Sequence, residues 1–144
     1  MASAPAKPPT WFWIVAILFL LWNIAGCFAC YSQLTVTPEA LAKLPEMQRQ
    51  AWAEMTLAPK AAYVIAVGGG LVGAILLLAR KRFARAIFVI SLVGVIIQFG
   101  WFFAVWNGYA KLGPSSVGFP AFIALMCVAE IWFAGKAIDR GWAN

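Results

Sequence analysis

Four long apolar segments divide this chain. We place them approximately at Trp11–Leu34, Ala61–Ala79, Ala86–Trp106 and Gly118–Gly135. Each is close to the ~20 residues that an α-helix needs to cross a ~30 Å hydrocarbon core, and none contains Lys or Arg. The pattern therefore predicts an all-α, polytopic membrane protein, folded as a single bundle of four transmembrane helices over residues 1–144.

Between the first two segments, residues 37–56 form the one substantial connection outside the predicted spans. Thr37 suits a helix cap, Pro38 suits the first helical position, and Pro45 should divide the stretch into two short helices. Apolar residues recur there at three- and four-residue intervals: Leu41, Leu44, Met47, Ala51, Trp52 and Met55. This amphipathic insert should lie on the membrane surface as a connector or cover the bundle as a lid.

Composition and charge support the membrane assignment and suggest an orientation. The chain is 64% hydrophobic and 11% charged, whereas soluble domains are about 25% charged. Seven of the eleven basic residues lie on one predicted side, four of them in the second loop: Arg80, Lys81, Arg82 and Arg85. The positive-inside rule then predicts both termini and this basic loop to be cytoplasmic and the insert to face the opposite side.

The basic loop has a second interpretation. Its cations could dock an anionic lipid or a partner instead of serving only as a topology signal. The net charge of +6 does not indicate a nucleic-acid partner, because the cations stand where membrane topology requires them.

Amides and glycines lie near the middle of the predicted spans. Asn23 and Gln98 should both be about 18 Å from the cytoplasmic face, at ~1.5 Å per residue. We predict a hydrogen bond between them beside a glycine seam formed by Gly69, Gly70 and Gly73, which allows close helix packing. These polar groups act either as links between helices or as a layer that binds a solute.

Glu130 is the one acidic residue inside a predicted span. By the same helical rise it lies about 8 Å from the cytoplasmic end, level with Ser91 and within reach of Arg82 or Arg85. A carboxylate at that depth needs either a proton or a partner. A functional site and a structural ion pair both remain open.

The three cysteines allow a packing role or a redox role. Cys27 and Cys30 share one face of the first segment, and Cys127 lies in the fourth. Buried cysteine usually behaves as a small apolar residue, but a redox role for the first pair stays open. Ile24–Cys27 resembles a lipoprotein cleavage box, yet the apolar run continues beyond it, so we expect the segment to span and not to be cleaved.

The residues needed for common catalytic sites are scarce. The chain has no histidine and five acids, and Glu130 has no acidic companion within the spans. We therefore expect no metal site, no cofactor and no enzymatic activity.

Three stretches resemble one group of small bacterial membrane proteins: LLWNIAGCFACYSQLTVTPEALAKLPEMQRQAW, GGGLVGAILLLARKRFARAIFVISL and AIDRGW. Members of that group are four-helix inner-membrane proteins that often carry the label "sugar transporter". The resemblance implies a four-helix, multi-pass protein of the bacterial inner membrane, in which the side opposite the cytoplasm, where the insert is predicted to lie, is the periplasm; it assigns no ligand residues.

Two functional classes follow from these observations. The first is a non-enzymatic accessory or scaffolding subunit in the lipid bilayer, assembled with itself or within a larger membrane complex. The alternative is an oligomeric small-solute or proton-coupled transporter, in which Glu130 carries the proton while Asn23 and Gln98 bind the solute.

Overall fold

The structure, a computed structural model, describes residues 6–144, which form helices and no strands. The α-helices are α1 (Thr10–Leu34), α2 (Pro38–Ala42), α3 (Glu46–Glu54), α4 (Leu57–Leu78), α5 (Phe83–Gly100), α6 (Gly108–Leu112) and α7 (Gly118–Asp139). A π-helical turn, Trp101–Val105, extends α5, and a 3₁₀ turn, Pro114–Ser116, precedes α7.

Four of these helices are long and apolar enough to cross a membrane: α1, α4, α5 with its π-helical extension, and α7 with the turn before it. This confirms the prediction of an all-α fold with four helices that are long and apolar enough to span a membrane. Large apolar side chains cover the outside of the bundle, including Phe28 at 71% exposure and Leu125 at 67%. Such a surface is stable in contact with lipid, whereas exposing this much apolar area to water would cost free energy.

The four spans follow chain order around the bundle. The most extensive contacts join α1 to α4, α4 to α5, and α5 to α7. Small residues allow the α4–α5 hairpin to pack closely: a Cβ on Gly94 would lie 2.8 Å from the Ala62 carbonyl oxygen and 3.0 Å from the Ala66 nitrogen. The two backbones approach closely because glycine places no side chain between them at this point.

Aromatic rings fill the side of the bundle between α1 and α7. Phe133 on α7 stacks on Phe12 with a centroid separation of 5.6 Å and meets Phe19 edge-on, also at 5.6 Å. Farther along the same two helices, Trp22 meets Phe122 at 5.3 Å. In this bundle, therefore, the backbones of α4 and α5 pack closely, whereas large aromatic side chains fill the space between α1 and α7.

The insert contains the capping residues that the sequence predicts. Thr37 Oγ1 accepts a hydrogen bond from the Ala40 N–H at 3.2 Å, and Pro38 is the first residue of α2. Pro45 stands between α2 and α3 and caps the second of them. The apolar stripe of the insert is half-buried except at Leu44, which is exposed, and neither short helix has a buried residue.

A polar and aromatic contact attaches the insert to the far end of α5. Trp106 Nε1 donates a hydrogen bond to Glu54 Oε2 at 2.7 Å, and Lys111 lies 3.9 Å from the same carboxylate oxygen. The Lys111 ammonium also lies 4.3 Å from the Trp106 ring centroid. These contacts hold the end of α3 beside α6.

Arg80 joins three chain segments at the opposite end of the bundle. Its guanidinium donates to the Trp142 carbonyl through Nε and to the Ala6 carbonyl through Nη2, both at 2.7 Å. The Asn144 N–H donates to the Arg80 carbonyl at 2.8 Å, and the Arg82 N–H donates to the Asn144 carbonyl at 2.9 Å. The segment before α1, the basic loop and the segment after α7 therefore meet at one end.

Candidate functional site

The core of the bundle brings together Glu130 and Asn23. Asn23 Nδ2 donates to Glu130 Oε2 at 3.0 Å and to the Phe19 carbonyl oxygen at 2.8 Å. Glu130 is 2% exposed and Asn23 7% exposed. The buried acid is therefore held by an amide from the facing helix.

Two geometric effects explain why these residues meet although the sequence places them at different depths. Helix α7 continues to Asp139, beyond the predicted end at Gly135, so Glu130 lies about 14 Å from its end, while Asn23 lies about 20 Å from the start of α1. Cα–Cβ bonds tilt toward the start of a helix. Because α1 and α7 run in opposite directions, the two side chains lean toward each other and cover the remaining difference.

Gly70 provides the space for this contact. A Cβ at this position would overlap Asn23 Oδ1 and lie 2.9 Å from Asn23 Cγ. The neighbouring Gly68 has no atom within 4 Å of the corresponding position. Of the glycine run, Gly70 is thus the residue on which the position of Asn23 depends.

The other two glycines of the predicted seam face α5 within the same chain. A Cβ on Gly69 would lie 3.3 Å from Ser91 Cβ, and one on Gly73 would lie 2.7 Å from the Phe88 ring. They form part of the intramolecular α4–α5 contact, so substituting them would disturb the bundle itself before any contact with another subunit.

Ser91 and Cys127 are also buried in the core but do not bridge Glu130 and Asn23. Ser91 Oγ donates to the Ala66 carbonyl oxygen on α4, and the serine is 4% exposed. Cys127 is buried beside Ser91 and Glu130. The serine hydroxyl thus links α5 to α4, because its single proton is already donated to a backbone carbonyl.

The predicted hydrogen bond between Asn23 and Gln98 is not formed. Both N–H groups of the Asn23 amide are directed to Phe19 and Glu130, and Gln98 is half-buried on α5. The physical reason is the order of the spans. In this order α1 packs mainly on α4, so Asn23 faces Gly70 on α4 and Glu130 on α7, whereas Gln98 lies on α5.

The arginine ion pair that the sequence left open for Glu130 is not formed. Within residues 6–144 the one ion pair is Lys111–Glu54, at 3.9 Å. Arg85 lies across α7 at Gly135, with Nε 3.5 Å from the position of a Cβ there. Gly135 is five residues beyond Glu130, or about 7 Å along the helix axis, so the guanidinium remains near the bundle end.

The cysteines are free thiols in three different settings. Cys27 Sγ donates to the Val67 carbonyl oxygen at 3.3 Å, while Cys30 and Cys127 are buried. No group of three or more His, Cys, Asp or Glu side chains that could hold a metal ion occurs in the part of the chain that the structure describes. A redox role for Cys27 and Cys30 stays a prediction.

The candidate site is therefore a carboxyl group, an amide donor and a nearby thiol, enclosed by helices. A carboxyl group in such surroundings can hold or exchange a proton. The sequence pattern indicated Glu130 and Asn23 separately but did not predict that they pair. It also did not predict that Gly70 provides the space for Asn23. The available signal was the polarity of both residues within apolar spans, which does not reveal how the helices are rotated.

Comparisons of the chain with protein-family models, curated proteins and solved structures found no match. The resemblance to small bacterial inner-membrane proteins accordingly remains an expectation.

Proposed function

We propose that this chain is a non-enzymatic accessory or scaffolding subunit of the bacterial inner membrane, which assembles with itself or within a larger membrane complex. In this proposal both termini and the basic loop are cytoplasmic and the insert is periplasmic. The observation that carries the proposal is the closure of the polar core: Glu130, at 2% exposure, is held by Asn23 inside the bundle.

The hydrogen-bond donors of the core support this proposal. An asparagine amide has two N–H donors, and those of Asn23 are directed to Phe19 and Glu130. The hydroxyl proton of Ser91 is directed to the Ala66 carbonyl. Since these donors act within the chain, they stabilise the arrangement of the helices and leave no donor of Asn23 or Ser91 for a solute.

The alternative function is a small-solute or proton-coupled transporter that uses Glu130. The observation that favours it is the position of this carboxyl group near the middle of α7, inside a bundle of four candidate spans. The Asn23 amide beside it could exchange its hydrogen bond with Glu130 for one with a solute. Such exchange requires α1 and α7 to separate where Phe12, Phe19 and Phe133 join them. Under this alternative, the closed core is one conformational state of a transport cycle, and a second state would have α1 and α7 apart.

Two measurements on the full chain separate the proposals. The first is extraction from bacterial membranes in mild detergent, followed by native mass measurement. The accessory function predicts a defined assembly larger than one chain, which Glu130→Gln retains because the new amide oxygen can still accept from Asn23.

The second measurement is proton flux into liposomes that contain the purified chain and a pH-sensitive dye. The accessory function predicts no flux above that of empty liposomes for either the wild type or Glu130→Gln. Flux that the wild type supports and a normally folded Glu130→Gln variant abolishes would replace the accessory function with the transporter. A chain that stays monomeric after extraction would also contradict the accessory function.

A further inference from the structure

A groove lies between the start of α5 and the end of α7, away from the buried Glu130. Its volume is about 430 Å³, and it is open to the outside of the bundle. Its lining combines two arginines with apolar side chains: Arg82, Arg85, Phe83, Ala86, Val89 and Ile138. The closed core uses none of these residues.

Both arginines lie at the start of α5, at the end of the bundle where Ala6, Arg80 and Asn144 meet. Arg82 and Arg85 are three residues apart, so they share one face of the helix start. Neither forms an ion pair with a carboxylate in residues 6–144. Arg80, by contrast, donates to backbone carbonyls of Trp142 and Ala6 and does not line the groove.

The floor of the groove is apolar and extends toward the middle of the bundle. Phe83 is 69% exposed and Val89 42% exposed, and Ile138 contributes from α7. Positions 82, 85, 86 and 89 follow the i, i+3, i+4, i+7 spacing of one helix face. From Phe83 to Val89 the floor extends about 9 Å along α5, in the direction that an acyl chain takes from a headgroup.

The charge around the groove is predominantly positive. Lys81, Lys136 and Arg140 lie near the same end of the bundle, where Asp139 is the one carboxylate among the described residues of the basic loop and of the last turn of α7. This end therefore attracts an anionic group, and paired arginines recognise phosphate with directional hydrogen bonds.

We propose that this groove binds an anionic phospholipid, with the phosphate between Arg82 and Arg85 and an acyl chain along Phe83, Val89 and Ile138. The charge selects an anionic headgroup, and the open apolar floor selects a lipid over a free phosphate ion. The proposal goes beyond the accessory function and does not depend on it, because it requires only that the bundle lies in a bilayer.

Native mass spectrometry of the full chain in mild detergent tests this proposal, with phosphatidylglycerol and phosphatidylcholine as probes. We expect preferential retention of phosphatidylglycerol. The double substitution Arg82→Ala with Arg85→Ala should weaken its binding about 10- to 30-fold, since a guanidinium in direct contact with the phosphate contributes up to about 1 kcal/mol, or roughly a fivefold factor.

A charge-matched control is the double substitution Lys81→Ala with Lys136→Ala, which removes two cations from the same end but none from the groove lining. It should change phosphatidylglycerol binding by no more than about threefold, the scale of a screened surface charge. Equal losses in the two double variants would overturn the groove as the site and leave only general charge attraction.

Val89→Trp tests the apolar floor without changing any charge. It should fill the groove and weaken phosphatidylglycerol binding, while thermal unfolding of the protein remains as in the wild type. This variant also keeps the proposal testable if the double arginine variant fails to fold. Unchanged lipid binding in Val89→Trp, or displacement of the bound lipid by millimolar inorganic phosphate, would overturn the proposal.

Discussion

A methyl group added at Gly70 would occupy space that the Asn23 amide uses in the core. The added Cβ would overlap Asn23 Oδ1 and lie 2.9 Å from Asn23 Cγ. To accept it, the amide must rotate or α1 must move away from α4, and either change breaks the hydrogen bond to Glu130. Gly70→Ala therefore tests the contact on which the candidate site depends.

The expected loss of stability has two parts. Overpacking in a filled core costs about 1–3 kcal/mol. The lost hydrogen bond adds about 0.6 kcal/mol, and up to about 1.7, on the scale of interhelical bonds in membranes. Alanine gains about 1 kcal/mol over glycine in helix propensity, but Gly68→Ala gains the same amount and has no atom within 4 Å of its new methyl. Gly70→Ala should thus be about 2–4 kcal/mol less stable than Gly68→Ala.

The assay is reversible unfolding in mixed detergent micelles, followed by circular dichroism, for both single variants. Each substitution is then repeated in an Asn23→Ala background, where the amide no longer occupies the space. The cost of Gly70→Ala should fall by about 2 kcal/mol in that background, which is a coupling energy typical of residues in contact.

Two results would refute this reasoning. One is a difference of less than about 0.5 kcal/mol between Gly70→Ala and Gly68→Ala, which is within the scatter of independent sites. The other is an equal cost of Gly70→Ala with and without the Asn23 amide. Either would mean that Gly70 does not position Asn23 against Glu130.

Three further substitutions test other contacts. Ser91→Ala removes the hydroxyl bond to α4 and should lower the free energy of unfolding by about 0.6 kcal/mol; no change in the same unfolding assay would count against that bond. Trp106→Phe removes the donor to Glu54, so hydrogen exchange should accelerate in α3 and not in α4, and unchanged exchange in α3 would contradict the anchoring contact. Arg80 has a φ of 60°, so Arg80→Gly should be about 1 kcal/mol more stable than Arg80→Ala, although both lose the guanidinium bonds; equal unfolding energies would argue against strain there.

Local sequence features predict much of the fold. The number of spans follows from apolar segments that are long enough to cross a bilayer, which depends on neighbouring residues alone. The start of α2 follows from Thr37 and Pro38, and the separation of α2 from α3 follows from Pro45. Apolar segments predict the ends of helices less well. Helix α7 continues to Asp139, about one turn beyond the predicted end of its apolar run at Gly135.

The polar contacts depend on helix rotation, which local patterns do not determine in an apolar span. The run Gly68, Gly69, Gly70 shows this, because successive residues point about 100° apart. The first has no neighbour within 4 Å, the second faces Ser91 and the third faces Asn23. The sequence indicates a small-residue packing surface, but it does not distinguish these three directions.

Apolar length and the positions of caps therefore predict from the sequence four helices that are long and apolar enough to cross a membrane, since both features act within a few residues. Only the tertiary structure pairs Asn23 with Glu130, 107 residues away. That pairing arises because the spans follow chain order, α7 is longer than its apolar run, and the two side chains tilt toward each other on antiparallel helices. The two arginines that could have paired with Glu130, Arg82 and Arg85, instead line a separate groove at the bundle end.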